Sequence, residues 1–179
     1  MGIRSAVVAG ITSVALLATA APALAMGSGN PYEDMQVGVR YTVYEPTYVA
    51  GLKQIQVGGA IADAGFTGDE NLSAEYGRSN GRNFNIREGN PMSSDIGVGA
   101  LVLTTTVQGR KARVYGYCDP STGKKCTLGD VTRYGGHLAV TLPGVGTLTD
   151  TVVWVETIGP KPVSGQQLVQ IAKGLRPVQ

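Results

Sequence analysis

The last stretch of the chain limits its architecture most. Ser164 is a good helix N-cap, and Gln167 three residues on completes a box in which each side chain satisfies the other's backbone N–H. Leu168, Ile171, Ala172 and Leu175 then follow the i, i+3, i+4, i+7 spacing of a helix packed on one face, and Pro177 marks the stop. A helix with one apolar face must bury it. What precedes it is a series of short period-two segments, so the partner is a sheet. The pattern predicts an α+β fold: a single antiparallel β-sheet of about six to eight strands packed by the C-terminal helix.

The strands are read from alternation, because successive side chains of a strand point to opposite faces. Met35, Val37, Val39, Tyr41 and Val43 alternate with polar or small residues and predict a half-buried strand, ended by Glu45-Pro46. Leu52 to Ile61 carries Ile55 and Val57 at strand spacing. Leu72–Tyr76 and Asn83–Glu88, with Phe84 and Ile86 on one face, flank the turn-forming Gly77–Gly81 and predict a hairpin. Gly99–Val107, with Leu101, Leu103, Thr105 and Val107 on one face, and Ala112–Tyr117 predict a second, turning at Gln108-Gly109-Arg110-Lys111. Leu138, Val140 and Leu142 form a further strand. Thr151–Ile158 is another, in which Trp154, sharing a face with Val152 and Ile158, is expected to pack in the core.

The N-terminus has the three parts of a secretion signal. Arg4 supplies a positive start, Ala6 to Ala20 a mostly apolar run, and Ala23-Leu24-Ala25 a small-x-small cleavage site. The run is shorter than the roughly 20 residues a bilayer span needs, so residues 1–25 are expected to be cleaved rather than to anchor. No Cys follows Ala25 to accept a lipid. Residues 26–179 remain as one secreted domain, in the periplasm, the cell envelope or outside it, with no membrane span. In such a space Cys118 and Cys126 are expected to form a disulfide that clips the turn-rich Asp119–Lys125 loop.

The order of pieces also carries a resemblance. Tyr44-Glu45-Pro46-Thr47-Tyr48-Val49, then Glu75-Tyr76 with Phe84–Gly89, and the closing Ser164–Leu175 resemble the start, central hairpin and end of a family of bacterial extracytoplasmic domains. That family includes the C-terminal domains of anti-sigma-factor-like proteins and lipoproteins. Val49-Ala50 departs from the family's Leu-Pro, and the disulfide loop is not part of its pattern. The resemblance implies the fold and the compartment. It implies no catalytic residue and no ligand.

The chemistry of the chain is sparse. A net charge of +2 over 179 residues gives no strong pull toward nucleic acid. His137, the one histidine, lies by alternation on the face opposite Leu138 and Val140, where solvent is expected, and no Gly-x-Ser-x-Gly surrounds any serine. The adjacent carboxylates Glu33 with Asp34, and Asp69 with Glu70, read as solvated loop charges. No metal ligand set, cofactor motif or catalytic residue is assigned. The residues left for binding are Tyr115 and Tyr117, with a basic set of Arg110, Lys111, Arg113, Lys124 and Lys125. This set would cluster if the hairpin tip lay near the disulfide loop. It would then meet an anionic envelope polymer or a lipid headgroup, unless its role is solubility and protection of a strand edge.

Three functions follow as expectations. The first is a non-enzymatic interaction domain for an envelope protein, polymer or lipid, with a filled core and an exposed aromatic or basic patch. The second is a carrier with an apolar cavity between sheet and helix. The third is a hydrolase with His137 buried in a cleft.

Overall fold

A computed structural model describes residues 27–60, 71–90, 99–119, 121 and 123–178. The leader 1–25 and the Asp69/Glu70 pair lie outside the described residues.

Two antiparallel meanders make the main sheet. The first contains β2 (Lys53–Ala60), β3 (Asn71–Gly77) and β4 (Arg82–Gly89). The second contains β5 (Ala100–Val107), β6 (Arg110–Gly116), β7 (Gly136–Leu142) and β8 (Thr151–Thr157). They join where β4 pairs antiparallel with β8, giving the order β2-β3-β4-β8-β7-β6-β5. A two-residue β9 (Lys161–Pro162) adds to β4 in parallel. A separate two-stranded sheet pairs β1 (Tyr44–Pro46) with β10 (Leu175–Pro177) and so ties the N-terminal segment to the end of the chain. Among the described residues, no helix is long and apolar enough to cross a membrane.

The hairpins form where turn chemistry and alternation agree. Gly77 pairs with Asn83 across the first turn. Val107 pairs with Arg110 across the second, where Gln108 and Gly109 both take positive φ, 47° and 75°. Two consecutive left-handed residues make the turn whose twist matches that of the flanking strands.

One face of the sheet is the core. Cross-strand rows run through Leu72, Glu88, Val153, Val140 and Ala112, and through Ala74, Ile86, Val155, Leu138 and Val114. The terminal helix α3 (Gly165–Lys173) lays Leu168, Ile171 and Ala172, all fully buried, over this face. Its capping box is complete: Gln167 N donates to Ser164 Oγ at 3.2 Å and Ser164 N to Gln167 Oε1 at 3.0 Å. Helices α1 (Pro31–Gln36) and α2 (Leu128–Tyr134) send Tyr32 and Val131 into the same core cluster.

The N-terminal segment differs from the alternation reading. Residues 31–36 are helical, because Asn30 caps Tyr32 N, Pro31 occupies the first turn and Glu33 and Asp34 sit at its positive end. Residues 37–43 then run as irregular chain with a single bridge from Tyr41 to Thr149. Tyr41, Thr42, Val43 and Tyr44 are buried in succession, which no half-buried strand allows. Within β2 a register shift between Gln54 and Gln56 leaves Ile55 59% exposed and removes it from Val57's face. A shift between Leu101 and Leu103 likewise takes Leu101 off the face of Leu103, Thr105 and Val107 and sets it opposite Tyr115.

Cys118 and Cys126, eight residues apart, are joined by a disulfide. Closing so short a loop removes freedom mainly from the unfolded chain. The double variant Cys118→Ser, Cys126→Ser is expected to lose about 2–3 kcal/mol of unfolding free energy. Urea unfolding followed by circular dichroism checks this. Equal stability of the two proteins would show that the loop is held by its other contacts.

Candidate functional site

The face of the sheet turned away from the three helices carries the unusual side chains. On β6 the alternation that sends Ala112 and Val114 inward sends Lys111, Arg113 and Tyr115 outward, and Tyr117 continues the stripe just beyond the strand. Register then sets neighbours across the strands. One row reads Glu75, Asn85, Glu156, His137, Tyr115 and Leu101. The next reads Ser73, Arg87, Trp154, Ala139, Arg113 and Thr104.

Aromatic rings gather around His137. Tyr115 stacks on the imidazole at 4.8 Å between centroids with 17° between planes. Tyr117 and Trp154 lie at 5.7 and 5.9 Å from it, both tilted. His137 is therefore on the face the alternation assigns, yet it is only 7% exposed, a correction to the expectation of a solvent-facing ring. The cover comes from Tyr117, which the chain places after β6 has ended. There Tyr117 N donates to Gly135 O at 3.1 Å, and Gly135 holds φ 86° with Thr157 O and the Tyr117 ring where a side chain would stand. A residue with a Cβ at position 135 would stand 2.5 Å from Thr157 O and crowd the Tyr117 ring at 3.3 Å.

The polar atoms of the cluster satisfy one another. Tyr117 Oη donates to Glu156 Oε1 at 2.5 Å and lies 3.1 Å from His137 Nδ1. A phenol has one proton to give, so the second bond is donated by His137 Nδ1–H to the Tyr117 oxygen. Burial, the hydrogen bond to Glu156 and the Glu156 charge all push the Tyr117 hydroxyl up, keeping it a neutral donor. Burial pushes the His137 ring below its ordinary value against the opposing pull of Glu156, so it is held toward the neutral form. Glu156 is itself only 5% exposed.

Trp154 belongs to this face, not to the core. Val153 and Val155 are the residues of β8 that point inward, and both are fully buried, whereas Trp154 is half-buried between Arg87 and Ala139. Trp154, His137, Glu156 and Arg87 thus join Tyr115 and Tyr117 in a site that strand spacing alone did not assemble.

The basic set does not form one patch. Lys111 and Arg113 share the outer face with Tyr115. Arg110 lies at the hairpin tip, on the side of Tyr44, whose hydroxyl feels its charge. Lys124 and Lys125 are exposed on the disulfide loop at the far end of β6, roughly 20 Å away along a seven-residue strand. They border a groove of about 580 Å³ with Asp130, Arg133 and Tyr134, in which Arg133 lies 5.0 Å over the Tyr134 ring. Hydrogen bonds from the Thr127 hydroxyl and N–H hold the Asp130 carboxyl below the usual range. A second groove, of about 650 Å³, lies at the β2 edge around Lys53, Ile55 and Arg78. The Glu33/Asp34 pair sits in the first turn of α1, not in a loop.

Compared with protein families, with curated proteins and with solved structures, the chain shows no significant match.

Proposed function

We propose that this chain is an exported, non-enzymatic binding domain of the cell envelope, and that the outer face around Trp154 is its contact surface. The observation that carries the reading is the gathering of Trp154, Tyr115 and Tyr117 around His137 on the side of the sheet away from every described helix. Trp, Tyr and Arg are the side chains that anchor contact surfaces, because each offers a large stiff area together with a polar end. The leader and the disulfide support export.

The space between α3 and the sheet supports an interaction surface over a carrier. Leu168, Ile171 and Ala172 of α3 and Leu138 of β7 beneath it are all fully buried, and neither groove described above is lined by α3. The cluster also favours binding over hydrolysis. Among the described residues, the hydrogen-bond partner of His137 is a phenol already committed to Glu156, not an activated Ser or Cys.

The test is retention on a washed envelope fraction of the producing bacterium. Protein recovered from outside the cytoplasm should start at Met26, and Trp154→Ala with Tyr115→Ala should lose most of its retention while keeping its circular dichroism spectrum. A protein retaining Met1 in the cytosol sinks the export reading. Equal retention of the variant sinks the choice of surface.

A further inference from the structure

The outer face carries a charge pattern that names a class of partner. Arg113, Ala139, Trp154 and Arg87 stand side by side on β6, β7, β8 and β4. Three strand spacings put the two arginine positions roughly 14 Å apart with the indole between them. Lys111 follows Arg113 on the same outward stripe, two residues and roughly 7 Å along β6. The residue between the indole and Arg113 is Ala139, so no large side chain fills that gap.

Among the described residues Arg87, Arg113 and Lys111 make no ion pair with a carboxylate. The carboxylate central to the face, Glu156, is 5% exposed and already accepts the hydrogen bond donated by Tyr117 Oη. Glu75, in the same row as Glu156, stands on β3, further from Arg113 and Lys111 than any of the central strands. Positive charge on this face is concentrated at its β6 side, where Arg113 and Lys111 stand, while its carboxylates Glu156 and Glu75 are on β8 and β3. An indole with guanidinium groups in its row, neither of them in an ion pair among the described residues, is suited to receive an anion.

We propose that the outer face binds an extended anionic polymer of the cell envelope, one with phosphate or carboxylate groups repeated along its chain. The proposal rests on the outer face being the contact surface. Arg87 and Arg113 would each take an acidic group, Lys111 a third, and the backbone of the polymer would cross Trp154. A sheet face with cations spaced across its strands suits a chain laid along it. A lipid surface suits it less, because Trp154 is half-buried and the exposed apolar side chain of this face, Leu101, stands apart from it on β5.

Trp154 is the only tryptophan in the chain, so its fluorescence reports on the face itself. Titration of the purified protein with long-chain inorganic polyphosphate at low salt should shift that fluorescence saturably. Added salt should weaken the binding, as expected when counterions are released. The exposed pair Lys111→Ala, Arg113→Ala should weaken it by about tenfold or more, and Lys124→Ala, Lys125→Ala should leave it unchanged. Three results would overturn the proposal: no polyphosphate binding at low salt, binding lost with the disulfide-loop lysines and kept without Lys111 and Arg113, or a response to phosphatidylglycerol vesicles alone. Retention of the protein on envelope material separates the two readings. If it depends on Trp154 while polyphosphate fails to bind, the ligand class is wrong and the surface stands. If it ignores Trp154, both fall.

Discussion

Glu88→Gln is expected to stabilise the protein by on the order of 3 kcal/mol near pH 8 and to change it little near pH 4. Glu88 is on the core face of β4 between Leu72 and Val153, and it is fully buried. One carboxylate oxygen accepts the Tyr44 N–H at 2.9 Å, and the other has no hydrogen-bond partner among the described residues. The titratable groups that feel its charge are Tyr32 on α1, Tyr44 on β1 and Tyr76 on β3, none of which is a cation. Burial therefore drives the carboxyl well above its ordinary range, and the single backbone hydrogen bond offsets only part of this. A carboxyl raised in the fold contributes stability that is complete below its unfolded value and lost as pH rises through its folded value. Glutamine keeps an acceptor for Tyr44 N–H and carries no charge at any pH. His137 contributes with the opposite sign: its lowered value means stability is lost as pH falls below about 6.5. That contribution is common to both proteins and cancels when they are compared at each pH. Urea unfolding of wild type and Glu88→Gln from pH 4 to 8 makes the comparison. Parallel stability curves would show that Glu88 is not the buried acid described here.

The same residue shows why some of this molecule was legible in the sequence and some was not. Strand alternation puts Glu88 on the face of Phe84 and Ile86, and so in the core, but nothing local says what meets its carboxylate. The partner is Tyr44, forty-four positions away. Elements whose signals are local were readable. Ser164 and Gln167 cap α3 through each other, Gly77–Gly81 turns the first hairpin, and the disulfide joins neighbouring segments. Elements decided by distant contacts were not. The alternation of residues 35–43 is real, yet Asn30 and Pro31 start a helix across its beginning, Val37 is left exposed, and Tyr41, Thr42 and Val43 are buried in succession instead of pairing in the main sheet. Helix α2 shows only Leu128 and Val131 as apolar members, so its signal is the Thr127–Asp130 capping box alone.

The candidate site was half legible for the same reason. Alternation predicts that Lys111, Arg113, Tyr115 and Tyr117 share a stripe, because all four are on or next to one strand. It also separates Trp154 from Val153 and Val155. Both faces of β8 are apolar, however, so the strand does not say which of them the helix will cover. The register of β8 with β4 and β7 decides it, placing Val153 and Val155 in the rows that α3 covers. His137 is buried by Tyr117, which reaches it only because Gly135 and the end of β6 meet.

Phe84→Ala is expected to cost about 3–5 kcal/mol, the largest effect of any substitution proposed for this chain. The ring is fully buried on β4 and stacks on its cross-strand neighbour Tyr76, with centroids 4.7 Å apart and planes 6° from parallel. Tyr76 in turn shares a 2.7 Å hydrogen bond with the hydroxyl of Tyr32, the buried anchor of α1. Burial pushes the Tyr76 hydroxyl up to about 12, so it remains protonated in that bond at neutral pH. Removing the phenyl ring leaves a cavity against Tyr76, and the loss should spread to α1 through Tyr32. Hydrogen exchange should therefore quicken in residues 31–36 of the folded variant. Phe84→Leu, which retains most of the volume, should cost less than half as much. A loss under about 1 kcal/mol for Phe84→Ala would mean that the strands close over the gap. The outer face supplies a second check. Asn85, next to the position, and Arg87, three residues along β4, point the other way, so the variant, while folded, should bind polyphosphate as wild type does. Coupled losses of core stability and polyanion binding would contradict the separation of the two faces on which the whole assignment of the site depends.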